Sequence, residues 1–452
     1  MAAVEGRLYD PLAYDSSEEV GSFWQDDVAA PRPVCPTLEG DTTADVVVIG
    51  AGYTGLHAAL QLARVHDRDV VVLEAGSPGW GASGRNGGFC CMGGSTLSDS
   101  RMARQFGESA LHQFEQAQME AVSFVRGFLD ENRIDADTHS SGEWQLAHKR
   151  HHVPGLEAEA EALKARHGLD ARVFPKEALH ELGMAGPEFH GVLHVPVGFA
   201  LHPLKYALGL TETAQRAGVR IHGQSEVLGL ERDGEFHLVR TARGSVRARH
   251  LLIATNGYVS EATVPALTGV TLPVMSNIIV TRPLTDSEKK AQGWWSDQMA
   301  YDTRRLLHYF RLLPDGRFLF GMRGGTDASG YGMVLNEVRI RRHFDRMFPK
   351  WRDVEHTHFW AGLVAMTWKQ APYLGPVDGM ENSWGAFAYH GNGVALGSWS
   401  GRMIADQIAG TASPDAIPVV MRAPPQTFPL PALRLLALRT AYLGYTIRDE
   451  WL

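Results

Sequence analysis

Three short stretches near the start of the chain set the pattern. ADVVVIG (44–50) and RDVVVLEA (68–75) are nearly unbroken β-branched runs, whereas GYTGLHAALQLARVH (52–66) between them spaces its apolar residues at helical intervals. A run with no polar face suits a parallel strand buried on both sides, so this segment predicts strand, turn, helix, strand. The turn carries Gly50, Gly52 and Gly55 as G-x-G-x-x-G, and Glu74 ends the second strand nineteen positions after the last glycine. In that setting a glycine triplet points to a dinucleotide. Gly50 permits the tight turn, Gly52 admits a pyrophosphate to the backbone, and Gly55 packs the helix on the strand. The helix start offers free N–H groups and a partial positive charge to phosphate. Glu74 would accept from ribose hydroxyls, which disfavours a 2′-phosphate by charge repulsion.

The pattern then changes. GASGRNGGFCCMGG (81–94) has no periodicity and predicts a loop, either wrapped along the far half of a long cofactor or mobile at the surface. One long amphipathic helix is expected from Arg101 to about Glu131, then a strand at GEWQLAH and a helix at LEAEAEALKARHG. Residues 201–233 read as helix and strand, and HLVRTARGSVRARHLLIATNGY as a hairpin ending in a buried strand that returns to the first sheet. Between Pro273 and Trp360 the alternation of LLHYFRLLPDGRFLFGMR, with a turn at Pro314–Gly316, predicts an antiparallel sheet roofing the cofactor. GAFAYHGNGVALGSWSGRMIADQIAG predicts a strand, a glycine turn at Gly391, Gly393 and Gly397, and a helix, a second place where backbone N–H groups face an electron-rich ligand.

These elements predict an α/β fold with a discontinuous nucleotide domain at 41–100, 201–262 and 362–412. An interleaved α+β substrate domain occupies 101–200 and 263–361, flanked by an N-terminal arm at 1–40 and a C-terminal tail at 413–452. A chain of 452 residues is too long for one ordinary core. With 43 Lys and Arg against 51 Asp and Glu, the net charge of -8 leaves no basic footprint for nucleic acid, so small molecules are the expected partners. Three cysteines without a CxxC spacing predict a reduced, cytoplasmic protein. Adjacent Cys90 and Cys91 read either as a redox or metal pair or as small buried side chains. The acidic start lacks a signal-peptide core, and no run is long and apolar enough to span a membrane. In the tail, leucines at helical spacing over 428–445 suit either a membrane-surface or partner-binding helix or one packed back on the body.

Five motifs in order, VVVIGAGYTGL, GWGASGRNGG, LHPLKYALGL, LLIATNGY and YHGNGVALGSWSGRMIADQIAG, resemble the D-amino-acid-oxidase-like flavoprotein superfamily. The branch that contains gamma-glutamylputrescine oxidoreductase is the most similar. The resemblance implies FAD, a glutathione-reductase-like FAD-binding Rossmann domain beside the substrate domain, and oxidation of a C–N bond by hydride transfer to flavin N5. It would place Gly50, Gly52, Tyr53, Thr54 and Gly55 at the pyrophosphate, and Glu74 and Ala75 at the adenosine ribose. Ser83, Gly84, Arg85, Asn86, Gly87 and Gly88 would follow the dimethylbenzene and ribityl side. Val227 would pair with adenine through its backbone, and Thr255 and Asn256 would cap the sheet near the cofactor. Gly391, Asn392, Gly393, Val394 and Ala395 would turn N–H groups to the pyrimidine side.

Departures from the resemblance carry expectations of their own. The sarcosine-oxidase branch attaches its flavin through a cysteine just before the final glycine turn. WAGLVAMTWKQAPYLG contains none, which implies noncovalent FAD. That branch's carboxylate-binding lysine corresponds to Ala395, which disfavours simple N-methyl amino acids. Its oxygen-activating lysine falls at Leu319 with Arg323 nearby, so the acceptor is oxygen or an electron carrier, with Lys369 as a possible substitute.

Because a neutral amine held against the flavin transfers hydride by positioning alone, the expected amine pocket is apolar and aromatic. Tyr309, Arg323, Trp368, Lys369 and His390 are its candidate residues. The expected reaction gives an imine that water hydrolyses to an aldehyde or keto product, from gamma-glutamylputrescine or a related amine. The alternatives are an amine or amino-acid dehydrogenase serving a carrier, and a flavin-binding module without amine chemistry. A disulfide reductase is excluded by the missing CxxC and the missing second glycine fingerprint.

Overall fold

The computed structural model describes residues 6–451. Its first sheet has the strand order Tyr373–Pro376, Ser383–Phe387, Gly244–Ile253, Gly40–Ile49, Val70–Leu73, Arg220–His222. All but the first of these run parallel. The hairpin Gly229–Asp233 and Phe236–Arg240 adds to Gly244–Ile253. Burial on both faces explains the unbroken valines. Val46, Val48, Val70 and Val72 enter a core with the helices Tyr53–His66, Glu108–Asn132 and Ala395–Ile408, whereas Val47, Ile49, Val71 and Leu73 enter the core on the opposite face.

The second sheet runs His356–Thr367, Thr271–Thr281, Phe318–Arg323, His308–Leu312, Ala300–Asp302, Glu143–Leu146, Gly191–Val195, Arg172–Pro175. It is antiparallel except where Ala300–Asp302 pairs with Glu143–Leu146. Alternation along Phe318–Arg323 separates two jobs. Phe318, Phe320 and Met322 join an aromatic core with Trp294, Phe344 and Phe348, while Leu319 packs with Trp24 and Trp360 on the opposite face. Arg323 follows Leu319 at the same parity.

Four sequence expectations change. The helix expected over Arg101–Glu131 is two helices, Asp99–Phe106 and Glu108–Asn132, broken at Gly107 with φ +95°. The second of these shares its core with Tyr53–His66 and Ala395–Ile408, so its packing belongs to the nucleotide layer. Gly397 lies inside the helix Ala395–Ile408 rather than in the turn before it. The last strand of the second sheet runs to Thr367, six residues past the expected boundary at 361.

The tail helix Arg434–Glu450 packs back on the body. Arg434 pairs with Glu261, and Asp449 accepts from the Arg305 and Leu306 N–H groups at 3.1 and 2.9 Å. Its other face leaves Leu436, Leu443 and Ile447 exposed. No helix among the described residues is long and apolar enough to cross a membrane.

Candidate cofactor and active site

The two sheets enclose an elongated cavity of about 1410 Å³, part of it open to solvent. Both glycine turns open onto it. Gly50, Gly52, Tyr53 and Thr54 line one part, and Tyr389, His390, Gly391, Gly393 and Val394 another. The helices Tyr53–His66 and Ala395–Ile408 therefore direct their N-termini into one space, and neither has a side-chain cap of its own. Ser83 from the glycine-rich loop accepts from the Tyr53 N–H at 3.0 Å. Gly55 lies below the surface of the cavity, where a Cβ would collide with the Gly50 carbonyl oxygen. The helix can sit this close to the strand only without a side chain there.

Glu74 reaches the cavity from the end of its strand. Its carboxylate accepts from Ala51 N–H at 2.7 Å and Gly76 N–H at 3.0 Å, so it is pinned by the turn it serves. Burial raises its pKa, and those N–H groups act in the opposite direction. Ala75, Val227, Thr255 and Asn256 also line the cavity. Asn256, at φ +49°, spends its side-chain oxygen on the Ala388 N–H at 2.9 Å.

Two buried polar atoms beside this space, Thr255 Oγ1 and His390 Nδ1, have no hydrogen-bond partner among the described residues. Such groups are costly to bury unpaired. A long polar ligand between them and the two helix N-termini would give both a partner. The residues present thus fit the phosphates and polar edges of a dinucleotide such as FAD.

The glycine-rich loop is held in a way that no local pattern announces. Three successive carbonyls accept from three remote segments: Arg85 from Trp360 Nε1 (2.8 Å), Asn86 from Trp24 Nε1 (2.9 Å) and Gly87 from Arg311 Nε (3.0 Å). Arg311 is fully buried, and burial pushes its pKa down to about 9. The Asn86 side chain knits the loop further, donating to Ala82 and Ser83 carbonyls and accepting from Gly88 N–H. Glycine is required at position 87 by the protein itself, because a Cβ there would press into the Tyr309 ring at 2.8 Å.

Several expected residues therefore stand elsewhere. Arg85 turns away from the cavity: its guanidinium stacks on Trp80 at 4.0 Å and donates to the Trp80 and Ala361 carbonyls. Gly84, Gly87 and Gly88 pack against the chain rather than the cavity, and Asn392 turns to Cys91 Sγ (3.4 Å) and the Met92 carbonyl. Ala395 is buried as the first residue of its helix. Trp368 is half exposed and meets Phe428 edge-on at 5.6 Å, and the Lys369 ammonium donates to the Val420, Met421 and Ala423 carbonyls at 3.1, 3.2 and 2.6 Å. Both follow the strand end at Thr367, whose hydroxyl bonds the Ala371 carbonyl and closes a turn that carries them to the tail side.

Of the remaining candidates, His390 lines the cavity, whereas Arg323 and Tyr309 stand outside its lining. Arg323 donates to the His390 carbonyl at 2.7 Å, beside Gly391, and forms no ion pair among the described residues. Burial lowers its pKa. Burial, reinforced by Arg323, pushes His390 down to about 3, so its imidazole is neutral near pH 7. His390 and Ala388 hold positive φ values, 51° and 64°, in the left-handed region that strains a side-chain-bearing residue. Tyr309 lies over the loop, with its hydroxyl 2.9 Å from that of Ser276 and its ring edge-on to Phe89 at 5.7 Å.

Cys90 and Cys91 are buried in the two-stranded pairing of Phe89–Cys91 with Gly198–Ala200, and burial raises both thiols far above their usual range. Inert packing fits them better than redox chemistry. Beyond Cys91, Glu143 is 4% exposed, contacts Tyr301, the Cys91 thiol and the Met92 backbone, and has no ion-pair partner among the described residues. Sequence reasoning missed Glu143, Arg311 and the arm residues Arg7 and Tyr14, because each acts through partners remote in the chain.

Comparison with known proteins gives one pattern throughout. The model of the family described as FAD dependent oxidoreductase matches residues 45–407. The chain is 31% identical over 404 residues to the probable oxidoreductase OrdL of Rhizobium meliloti (strain 1021), covering 89% of this chain and 91% of that protein. It is 30% identical over 424 residues to gamma-glutamylputrescine oxidoreductase of Escherichia coli (strain K12), covering 92% and 95%. Among solved structures, glycine oxidase from Geobacillus kaustophilus superposes with a TM-score of 0.68 at 20% identity, covering 82% of this chain and 96% of that one.

Proposed function

We propose that this chain, which belongs to the FAD dependent oxidoreductase family and is an FAD-dependent enzyme acting on CH–NH donors, oxidises a small amine at the carbon beside its nitrogen. The product is an imine, which water hydrolyses to a carbonyl compound and ammonia or an amine. One observation carries the reading: two helix N-termini without a capping side chain at their own N-cap position and the pinned Glu74 share a single cavity, and Arg323 donates to the His390 carbonyl at the second glycine turn.

When bound, FAD supplies the acceptor for the electron pair of the C–H bond adjacent to nitrogen. The chain's own groups do the rest. Gly50, Gly52, Tyr53 and Thr54 would hold the pyrophosphate, and Glu74 the ribose. Arg323, fixed by the His390 carbonyl, would set a positive charge beside the second glycine turn and so favour any ligand group held there that gains negative charge. Neutral His390 adds no competing proton donor of low pKa there. Tyr309 and Phe89, which meet edge-on beside the glycine-rich loop, are the rings we assign to the amine's wall, and an apolar wall favours the deprotonated amine that can give up hydride.

The likeness to a gamma-glutamylputrescine oxidoreductase favours a diamine-derived substrate. We assign a second ammonium group of such a substrate to Glu143, a buried carboxyl without an ion-pair partner among the described residues, which would ionise as the cation arrives. Noncovalent FAD, a cytoplasmic location and an acceptor other than oxygen complete the proposal. The last rests on Lys369, the candidate for oxygen activation, being committed to three backbone carbonyls.

Anaerobic titration of the yellow protein with matched amines, diamines and amino acids tests the reading. Bleaching near 450 nm by amines is expected, with slow recolouring when air is admitted. Fast recolouring would identify an oxidase, and flavin that no amine or amino acid reduces would overturn amine oxidation altogether.

A further inference from the structure

The cavity has a wall that neither glycine motif supplies. Arg7 and Tyr14, from the arm before the first strand, line it near Glu226, Val227 and Thr263. Tyr14 is buried at 6% exposure, on the short helix Pro11–Tyr14 that Asp10 caps through the Leu12 N–H at 3.0 Å. Arg7 spans the mouth. Its guanidinium pairs with Glu226 at 2.6 Å and lies 4.9 Å from the Tyr14 ring centroid.

The arm is fastened to the second sheet, to the segment that carries Glu226 and to the glycine-rich loop. Tyr9 donates its hydroxyl proton to the Pro273 carbonyl on the second sheet at 3.0 Å, while Arg7 holds the nucleotide side through Glu226. Further along, the Glu18 carbonyl accepts from Trp80 Nε1 at 3.0 Å, and Trp24 Nε1 donates to the Asn86 carbonyl at 2.9 Å. A ligand in the cavity is therefore crossed by a segment anchored on both sides of it. A segment anchored mainly through side chains opens at lower cost than a strand within a sheet.

We propose that residues 6–27 form a strap that retains the cofactor, with Arg7 and Tyr14 closing the adenine end of the cavity as cofactor-binding residues. Docking of the strap and binding of FAD reinforce each other. Anything that binds the closed form in preference to the open one stabilises it by mass action, and the closed strap in turn slows release of what lies beneath it. The pyrophosphate turn then sets where FAD binds, and the strap sets how long it stays.

Two measurements test this on the full chain. In the first, holoenzyme is diluted and FAD release followed by recovery of flavin fluorescence, for wild type and for Arg7→Gln and Tyr14→Leu. Release at least ten-fold faster in both variants is expected, and release within two-fold of wild type in both overturns the proposal. In the second, amide hydrogen exchange over residues 6–27 is compared in wild-type protein with and without FAD, which needs no variant to fold. The expected result is at least ten-fold slower exchange with FAD bound, and equal exchange in the two states overturns the linkage.

Discussion

The proposed pyrophosphate seat comes from one contiguous segment, Gly50 to Glu74, whereas the proposed chemical end draws on His390, which lines the cavity, and on Glu143, Tyr309 and Arg323, which do not, spread over nearly 250 residues. The first end works through backbone: one glycine turn, the N–H groups of the helix it opens, and a carboxylate held by the N–H groups of Ala51 and Gly76. The second works through side chains whose charges have been stripped of ordinary partners by burial, Arg323 on one side and Glu143 on the other. Binding a common cofactor needs only spacing. Choosing a substrate needs distant groups at one point, so the two ends should respond separately to substitution.

The sharpest separation comes from Gly55→Val. A branched side chain where even a Cβ collides with the Gly50 carbonyl must push the helix off the strand. Overpacking of this kind costs about 3 kcal/mol or more. The variant is expected to lose at least nine-tenths of its flavin, read from the 450 to 280 nm absorbance ratio, and to melt earlier. Full flavin content would show that the turn is not the cofactor's seat and would dissolve the contrast.

At the other end, Arg323→Met is expected to keep its flavin and lose chemistry. Removing one group aimed at developing charge typically costs about 10²-fold in rate, so stopped-flow reduction by amine should slow by roughly that factor, with Arg323→Lys recovering part of it. Loss of flavin instead of rate would move Arg323 to the nucleotide end.

The two ends were also unequally legible in the sequence. Gly50, Gly52, Gly55 and Glu74 are readable because their spacing along one strand, turn and helix is the geometry itself. The roof was readable as a sheet from the alternation of 306–323, and that parity carried Arg323 to the face where it meets the His390 carbonyl. The turn after Thr367 defeated the same reasoning, since the bond from Thr367 to the Ala371 carbonyl and those from Lys369 to the Val420, Met421 and Ala423 carbonyls took Trp368 and Lys369 elsewhere. The glycine-rich loop misled more subtly. Gly87 is bare because of Tyr309, and the donors that shape the loop are Trp24, Arg311 and Trp360, none of them near it in sequence.

Glu143→Gln sharpens the comparison within the chemical end. The dissociation constant of 1,4-diaminobutane, read from perturbation of the flavin spectrum, should rise about ten-fold, in the range expected for loss of a charge-assisted contact, while that of 1-aminobutane stays put. Burial pushes the carboxyl of Glu143 up to about 8, against Glu159 as the facing acid and with Tyr301, Cys91 and the Met92 backbone as hydrogen-bonding neighbours. It is therefore protonated below pH 8 until a cation arrives. Because free-amine formation acts on both ligands, the ratio of diamine to 1-aminobutane affinity is the reading that isolates Glu143, and it should rise about ten-fold per pH unit up to pH 8 and level off above it. A ratio that keeps its slope in Glu143→Gln, or a shared loss for both amines, would remove Glu143 from recognition.

The smallest effect expected is the absence of one. His390 sits beside the second glycine turn, where a histidine titrating near 6.5 would impose an inflection on the reaction. Burial first, and Arg323 second, hold it to about 3. Its folded pKa lies below its unfolded value, so the neutral form prevails throughout the working range, and protonation in the unfolded chain withdraws stability as pH falls below 6.5. Flavin reduction by 1-aminobutane should then climb smoothly from pH 6 to pH 9, about ten-fold per unit as the free amine forms, with no break near 6.5, while the melting temperature declines on the acid side. A break near 6.5 that vanishes in His390→Gln would make His390 a proton carrier and give the chemical end a titrating group that its burial argues against.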